Sequence, residues 1–366
     1  MRRRAPWSPR ESSLRLLVLG GLMPTLAWAA GPEASARLDP LKMTMSVIAG
    51  LVLLLFGISR LALALKALAG ESARRWLARF TSNRFAAVLT GTAATTLLDS
   101  SSVTIIMVIA LVDAGLLGLV QSLGVVLGSN IGTTFGAELV AFQINQYAPV
   151  GLAVGALLFT LGRSERWKNV GWMLFGLGLL FFGLELIEEA MAPFRHSPQF
   201  ARWMQELGKN PLLGAAVGAL LTLIIQSSSA TMAIVITLAS QGLISLPAGV
   251  AIMLGAEVGT VSDTLLATLG RSRQAVRTGV FHFLFNLLTA TLGLLGASRL
   301  VALSQWISGG ASVGRQIANA QVLFNVLGVA LVIGFVPLIA RGLKVLIPDR
   351  PAPETAPVDV RLEQRA

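Results

Sequence analysis

The chain has no cysteine and only two histidines, His196 and His282, in 366 residues. Disulfides, thiolate metal sites and thiol nucleophiles are thereby excluded, and two imidazoles are too few for a transition-metal site. Charge is scarce as well. Only 13% of residues are Asp, Glu, Lys or Arg, about half the share of a soluble domain. Apolar residues make up 54% of the chain. Several apolar runs reach about 20 residues, the length that crosses a hydrocarbon core of ~30 Å. The chain therefore reads as a polytopic protein of the lipid bilayer. Its net charge of +11 would suggest nucleic acid in a soluble protein. Here the basic residues stand in short loops between apolar runs, the pattern of the positive-inside rule, so no nucleic-acid partner is expected.

What the chain does contain is a polar motif that occurs twice. Asp99-Ser100-Ser101-Ser102 and Gln226-Ser227-Ser228-Ser229 both lie inside apolar stretches, 127 residues apart. The same shift carries Gly128-Ser129-Asn130-Ile131-Gly132-Thr133 onto Gly255-Ala256-Glu257-Val258-Gly259-Thr260. Over residues 81–141 it gives 18 identities in 61 positions without a gap. A hydrophobic chain with an internal duplication and polar clusters at matched positions is the sequence sign of a secondary transporter.

The order of segments follows. Residues 1–30 combine Arg2, Arg3, Arg4 and Arg10 with a short apolar run and Ala27-Trp28-Ala29. This is the layout of a signal peptide, or else of a first helix. Full crossings are expected at 43–69, 116–141, 146–162, 170–190, 246–269, 279–299 and 316–340. The stretches 85–114 and 211–242 differ, because each is two apolar halves around a serine triplet. Polar backbone at membrane depth is tolerated only inside protein or along a wet cavity, so both are expected as re-entrant helical hairpins. The expected class is thus all-α, with repeat 1 at 43–162, repeat 2 at 170–299, and a last helix at 316–340. A Pro-rich, charged tail at 348–366 is expected to be disordered.

Loop charge orients the repeats. Loop 142–148 has no basic residue, whereas its counterpart 270–277 has Arg271, Arg273 and Arg277. Equivalent loops on opposite sides mean repeats inverted in the membrane. The same bias places the C-terminus in the cytoplasm, and the cell (inner) membrane is the expected location.

Each polar group admits a functional and a plain reading. A broken helix offers unpaired N–H groups and a positive dipole end, and serine hydroxyls beside it suit an oxyanion or Na⁺. The plain reading, small residues packing membrane helices, is weakened by the matched repetition. The glycines of 128–134 and 255–260 are expected to unwind their helices near the midplane; a packing face is the alternative. Asp99, Asp113, Glu138, Glu257 and Asp263 are carboxylates at membrane depth, each costly there. Of these, Asp99 and Glu257 occupy motif positions. His282 reads as a structural donor, and Asn286 and Asn325 as hydrogen-bonding partners of a broken helix.

These residues resemble the type II Na⁺/phosphate cotransporters. The likeness rests on Gln226-Ser227-Ser228-Ser229-Ala230-Thr231, the Gly-x-Asn-Ile-Gly-Thr-Thr element at 128–134, and the Leu-Phe-Asn elements at 284–286 and 323–325. It covers about residues 45–340. The resemblance implies Na⁺-coupled uptake of inorganic phosphate by alternating access, with no further cofactor. It implies that Ser100, Ser101, Ser102, Gln226, Ser227, Ser228 and Ser229 bind phosphate and Na⁺, and that Asn130, Thr133, Thr134 and Thr260 add coordinating groups. Asp99 stands where the family usually has Gln, and Glu257 where it usually has Asn. A carboxylate beside an anion site must be protonated or paired with a cation, so both are candidates for ion coupling. Many bacterial relatives carry a PhoU-like C-terminal helical domain that this sequence does not contain.

A carrier of another small anion, or a proton-coupled phosphate carrier, would use the same scaffold. A structural membrane protein or an intramembrane serine hydrolase is more remote. The hydrolase needs a base beside its serine, and neither triplet has a nucleophile-like Gly-x-Ser-x-Gly context, so the chain is read as a non-enzyme.

Overall fold

The computed structural model describes residues 40–349 apart from 143. The signal-like segment 1–30 and residues 350–366 of the tail lie outside the described residues. All regular structure among the described residues is helical. The first unit contributes only residues 40–43, the opening turn of the first helix, and the second begins at Thr44.

The helices are α1 (Pro40–Arg79), α2 (Arg84–Leu98), α3 (Ser101–Asp113), α4 (Leu119–Ala141), α5 (Ala148–Leu161) and α6 (Glu165–Met191). There follow α7 (Pro198–Lys209), α8 (Pro211–Ile225), α9 (Ser228–Ser240), α10 (Leu246–Gly259) and α11 (Val261–Leu266). The chain continues with α12 (Arg273–Leu295), α13 (Ala297–Ser308), α14 (Val313–Ile333) and α15 (Val336–Leu346).

Short polar side chains start these helices by accepting from the first turn, where N–H groups have no intrahelical partner. Asn83 Oδ1 accepts from Phe85 N and Ala86 N, both at 3.0 Å. Ser164, Ser197, Asn210, Ser245, Ser272 and Ser312 cap six others in the same manner.

Among the described residues six helices are long and apolar enough to cross a membrane, or seven if the pair α7–α8, bent by 104°, is one span. Three expected crossings are redrawn. The one at 146–162 is the 14-residue α5, only ~21 Å long at 1.5 Å per residue. The one at 279–299 ends at Leu295, where Gly296 turns the chain into the separate α13. The last expected helix, 316–340, likewise ends at Ile333 and restarts as α15 with Pro337 in its first turn. Proline there removes a backbone donor and cannot continue the preceding ladder.

The serine-triplet stretches fold as helical hairpins, α2–α3 and α8–α9. Each first arm lies along the span that follows it: α2 packs on α4, and α8 on α10. The glycines make this contact. A Cβ on Gly132 would stand 2.6 Å from the Thr92 carbonyl oxygen, and one on Gly259 would stand 2.6 Å from that of Ala219. Gly128 and Gly255 face the carbonyl oxygens of Val88 and Ala215 more closely still. These glycines were expected to unwind their helices. Instead α4 runs unbroken through 128–134, and its counterpart is interrupted only at Thr260, which keeps right-handed backbone angles (φ −69°, ψ −11°). The glycines serve close backbone approach, because a second backbone lies where side chains would otherwise stand.

Two apolar cores flank the hairpins. One gathers Leu98, Ile105, Ile109, Leu123, Leu127 and Phe281; the other gathers Met232, Ile236, Ile252, Leu254, Ile317 and Phe324. The late helices knit them together, since α12 packs on α3, α4 and α10, and α14 on α4, α9 and α10. At the loop end of α3, Asp113 Oδ1 accepts from Ser272 N at 2.7 Å and Oδ2 meets Arg271 Nη1 at 3.2 Å. Hydrogen bonds from Ser272, with Arg271 beside them, hold that carboxyl below the usual range. Arg277 is fully buried; its Nε and Nη2 donate to the Ile347 carbonyl oxygen at 2.9 and 2.6 Å, and Nη2 pairs with Asp349 at 2.8 Å.

Gly128→Ala is expected to destabilise the fold by about 1–3 kcal/mol through overpacking. Gly342→Ala, where nothing lies within 4 Å of the added Cβ, is expected to be silent. Thermal unfolding of the two variants in detergent checks this, and equal melting temperatures would contradict the packing role.

Candidate functional site

The two hairpin tips share one backbone geometry. Asp99 (φ 48°, ψ 34°) and Gln226 (φ 56°, ψ 30°) end the first arms in left-handed conformation. They are the only non-glycine residues with positive φ among the described residues. Such a conformation costs roughly 1–2 kcal/mol for an L-residue and persists only where its surroundings enforce it. The enforcing contacts recur too. Thr95 Oγ1 donates to Thr104 Oγ1 at 3.0 Å across the first hairpin, and Thr222 Oγ1 to Thr231 Oγ1 at 3.0 Å across the second.

The next residue is the N-cap of the second arm. Ser100 (φ −158°, ψ 111°) and Ser227 (φ −153°, ψ 110°) are both extended. Ser100 Oγ accepts from Val103 N at 3.2 Å, and Ser227 Oγ accepts from Ala230 N at 3.1 Å. Each cap satisfies one amide of the turn. Those of Ser101 and Ser102, and of Ser228 and Ser229, have no acceptor within their own helix. Ser101 and Ser228 are buried, while Ser102 and Ser229 are half-buried. Each tip thus presents two free N–H groups, two further hydroxyls and the positive end of a helix dipole.

The spans supply the remaining candidates unevenly. Ser228 Oγ lies 3.4 Å from Thr260 Oγ1, joining the second tip to its span. Asn130, Thr133 and Thr134 are buried on α4 but turn to their own helix. Asn130 Nδ2 donates to Val126 O at 2.9 Å, Thr133 Oγ1 to Ser129 O at 2.8 Å, and Thr134 Oγ1 to Ile131 O at 2.7 Å. Among the described residues no hydrogen bond links the two serine triplets, or joins Asn130, Thr133 or Thr134 to a serine of a tip.

The two motif carboxylates have different surroundings. Asp99 projects against α4 at Gly136, where a Cβ would come 2.8 Å from its Oδ1. No donor or cation among the described residues meets this carboxylate. Glu257 is only 3% exposed. Its Oε1 accepts from Gln321 Nε2 at 2.9 Å and from Asn325 Nδ2 at 3.2 Å, both on α14. Glu257 is therefore tied to α14 rather than to a hairpin.

Gln321 is the site residue that sequence reasoning missed. Its signal was the four-residue spacing to Asn325, which puts both amides on one helix face. His282 Nδ1 meets Thr264 Oγ1 at 2.8 Å and Asn286 Nδ2 donates to the His282 carbonyl at 2.9 Å, so this histidine joins α12 to α11. Gln321 Oε1, Asn286 Oδ1 and His282 Nε2 are buried without a partner. Among the described residues no cluster of three or more His, Cys, Asp or Glu could hold a metal ion. A cavity of about 260 Å³, lined by Glu185, Glu188, Glu189, Thr237, Ser240 and Gln241, opens at the far end of α9 from its tip.

The chain is 28% identical over 306 residues to the uncharacterized protein YqeW of Bacillus subtilis, covering 84% of this chain and 99% of that protein. It is 28% identical over 288 residues to YjbB of Escherichia coli K12, provisionally named an inorganic phosphate export protein. That match covers 78% of this chain and 52% of the relative, so the chain spans about half the length of that protein. The human sodium-dependent phosphate transport protein 2B is 29% identical over 133 residues, 33% of this chain and 19% of its own length. No solved structure matches. The sequence pattern of the Na⁺/Pi-cotransporter family matches residues 53–189 and 195–344. With that match across most of the chain, and several helices able to cross a membrane, this multi-pass membrane protein belongs to the Na⁺/Pi-cotransporter family.

Proposed function

We propose that the protein carries inorganic phosphate across the cell (inner) membrane together with Na⁺, by alternating access between two inverted repeats. The observation that carries this reading is the repeated tip: two strained turns, each followed by free helix N–H groups and serine hydroxyls. Such a tip suits a tetrahedral oxyanion, which needs several donors converging at hydrogen-bond distance. Ser100, Ser101 and Ser102 bind from one side in this reading, and Gln226, Ser227, Ser228 and Ser229 from the other. Thr260 joins through Ser228. Asn130, Thr133 and Thr134 would join by turning from their own helix, since a hydroxyl rotor or amide costs little to reorient. The inversion is supported by the contrast in basic charge between loops 142–148 and 270–277, which also puts the C-terminus in the cytoplasm.

Na⁺ enters through the carboxylates. An unpaired Asp99 beside an anion site repels phosphate unless a cation offsets it, so Na⁺ bound there raises anion affinity. That is coupling in the thermodynamic sense. Glu257, with two amide donors already on one oxygen, is the second coupling candidate. Under an inward Na⁺ gradient the carrier runs as an uptake system. The export name of YjbB favours a second reading in which the same cycle runs outward, since a carrier's direction follows its gradients.

Labelled phosphate accumulation in proteoliposomes tests the reading, with an inward Na⁺ gradient, a proton gradient or neither. Accumulation is expected with Na⁺ and is expected to fall at least about tenfold, ~1.4 kcal/mol in the transport barrier, in Ser227→Ala/Ser228→Ala. Sulfate moving in place of phosphate would assign the scaffold to another anion, and accumulation under the proton gradient alone would make it a proton-coupled carrier. Asp99→Gln and Glu257→Asn are expected to weaken the dependence of rate on Na⁺. Unchanged cation and pH dependence in both variants would remove these carboxylates from coupling.

A further inference from the structure

The contact between hairpin and span is built twice in one register. Gly91 faces Val125 and Gly218 faces Ile252; Gly128 faces Val88 and Gly255 faces Ala215. A Cβ on Gly132 would lie 2.7 Å from Thr95 Cβ, and one on Gly259 would lie 2.8 Å from Thr222 Cβ. Every pair shifts by 127 residues into the other. The two copies therefore predict one another's neighbours up to the hairpin tip.

Within that register the duplication exchanges residues across the contact. In the first copy Ala87 of the hairpin meets Gly124 of the span; in the second, Gly214 of the hairpin meets Ala251 of the span. Each contact keeps one methyl group, held by opposite partners. The tips differ in the same manner. In the first copy the hairpin supplies Asp99 and the span supplies Gly136, which leaves room for the carboxylate. One turn beyond Gly259, the counterpart of Gly136 is Asp263, and the counterpart of Asp99 is Gln226.

Resting on the reading of the tips as the ion and anion site, we propose that Asp263 is the cation-binding carboxylate of the second tip, the counterpart of Asp99 at the first. Right-handed backbone at Thr260 keeps α11 in register with α10, so position 263 is reached one helical turn after Gly259. Asp263 is half-buried. Its Oδ1 accepts from Thr264 N at 2.7 Å, and no protein group among the described residues donates to Oδ2. The helix α11, which carries Asp263, also packs on α3 of the other hairpin. A hard monovalent cation such as Na⁺, which prefers oxygen ligands, would find a carboxylate, the Gln226 amide oxygen and tip hydroxyls there. The protein then carries one carboxylate per tip, and two cation positions related by the duplication.

The test moves the carboxylate. Asp263→Asn, the exchange Gln226→Asp/Asp263→Gly, and wild type are reconstituted as full chains and compared for the Na⁺ dependence of phosphate uptake. Binding of radiolabelled Na⁺ to the same purified chains is measured without phosphate. Asp263→Asn is expected to raise the half-saturating Na⁺ concentration about tenfold or more and to lower the steepness of the Na⁺ dependence. The exchange variant, which copies the layout of the first tip, is expected to return most of the lost Na⁺ affinity. A role in folding alone would not predict that rescue. Na⁺ binding by Asp263→Asn that superimposes on wild type would overturn the proposal, and so would a folded exchange variant that binds as weakly as Asp263→Asn. Na⁺ binding that depends on Asp263 in a protein that does not move phosphate would retain the site and reject the transport reading. Wild type that binds no Na⁺ would reject the site itself.

Discussion

Each hairpin can exist only because its span lets it come close. A helix that stops at membrane depth exposes amides and carbonyls that lipid cannot satisfy, so the break must be enclosed by protein. The enclosing surface is the glycine face of α4 and of α10, on which α2 and α8 lie backbone to backbone. Side chains on those glycines would hold the arms apart. The serine tips would then lose their walls, and the threonine pairs that close each hairpin would lose their setting. The late helices depend on this arrangement as well, since α12 and α14 pack across both arm–span units.

The tips hold local strain that this enclosure stabilises. Two non-glycine residues sit in left-handed conformation at matched positions, and each is followed by an extended serine that caps the second arm. The result is a pair of helix N-termini whose first amides stay free while the third is satisfied. Under the proposed function that geometry would receive an anion without rearrangement. In that reading, preorganisation of the tip lowers the reorganisation needed on binding.

Buried polar groups differ in whether they have partners. Arg277 is consumed by the Ile347 carbonyl and Asp349, which anchors the end of the described chain to α12. His282 is joined through Nδ1 to Thr264, while its Nε2 has no partner. Glu257 is held by two amides of α14, whereas Asp99 has no protein partner among the described residues. The paired groups join helices; the unpaired carboxylate stands at a tip. A membrane interior leaves little room for an idle charge, and that contrast separates the two kinds of residue.

Membrane class, the duplication, both hairpins and their serine tips were legible in the amino-acid sequence, because apolar length and repeated polar motifs are local properties. The helices of the two hairpins run over Arg84–Leu98 and Ser101–Asp113, and over Pro211–Ile225 and Ser228–Ser240. What the glycines do was not legible. A glycine permits either unwinding or close approach, and only the backbone at Val88 and Ala215, far away in the chain, decides for approach. The partners of Glu257 were equally hidden, since Gln321 and Asn325 lie 64 and 68 residues away. The side-chain bonds of Asn130, Thr133 and Thr134 to their own helix depend on an unbroken α4, which the glycine motif had argued against. The sequence by itself therefore determined that this is a multi-pass membrane protein and which residues repeat. Tertiary structure alone decided which polar groups are spent on holding helices together and which are left free, because that depends on contacts between segments distant in the chain.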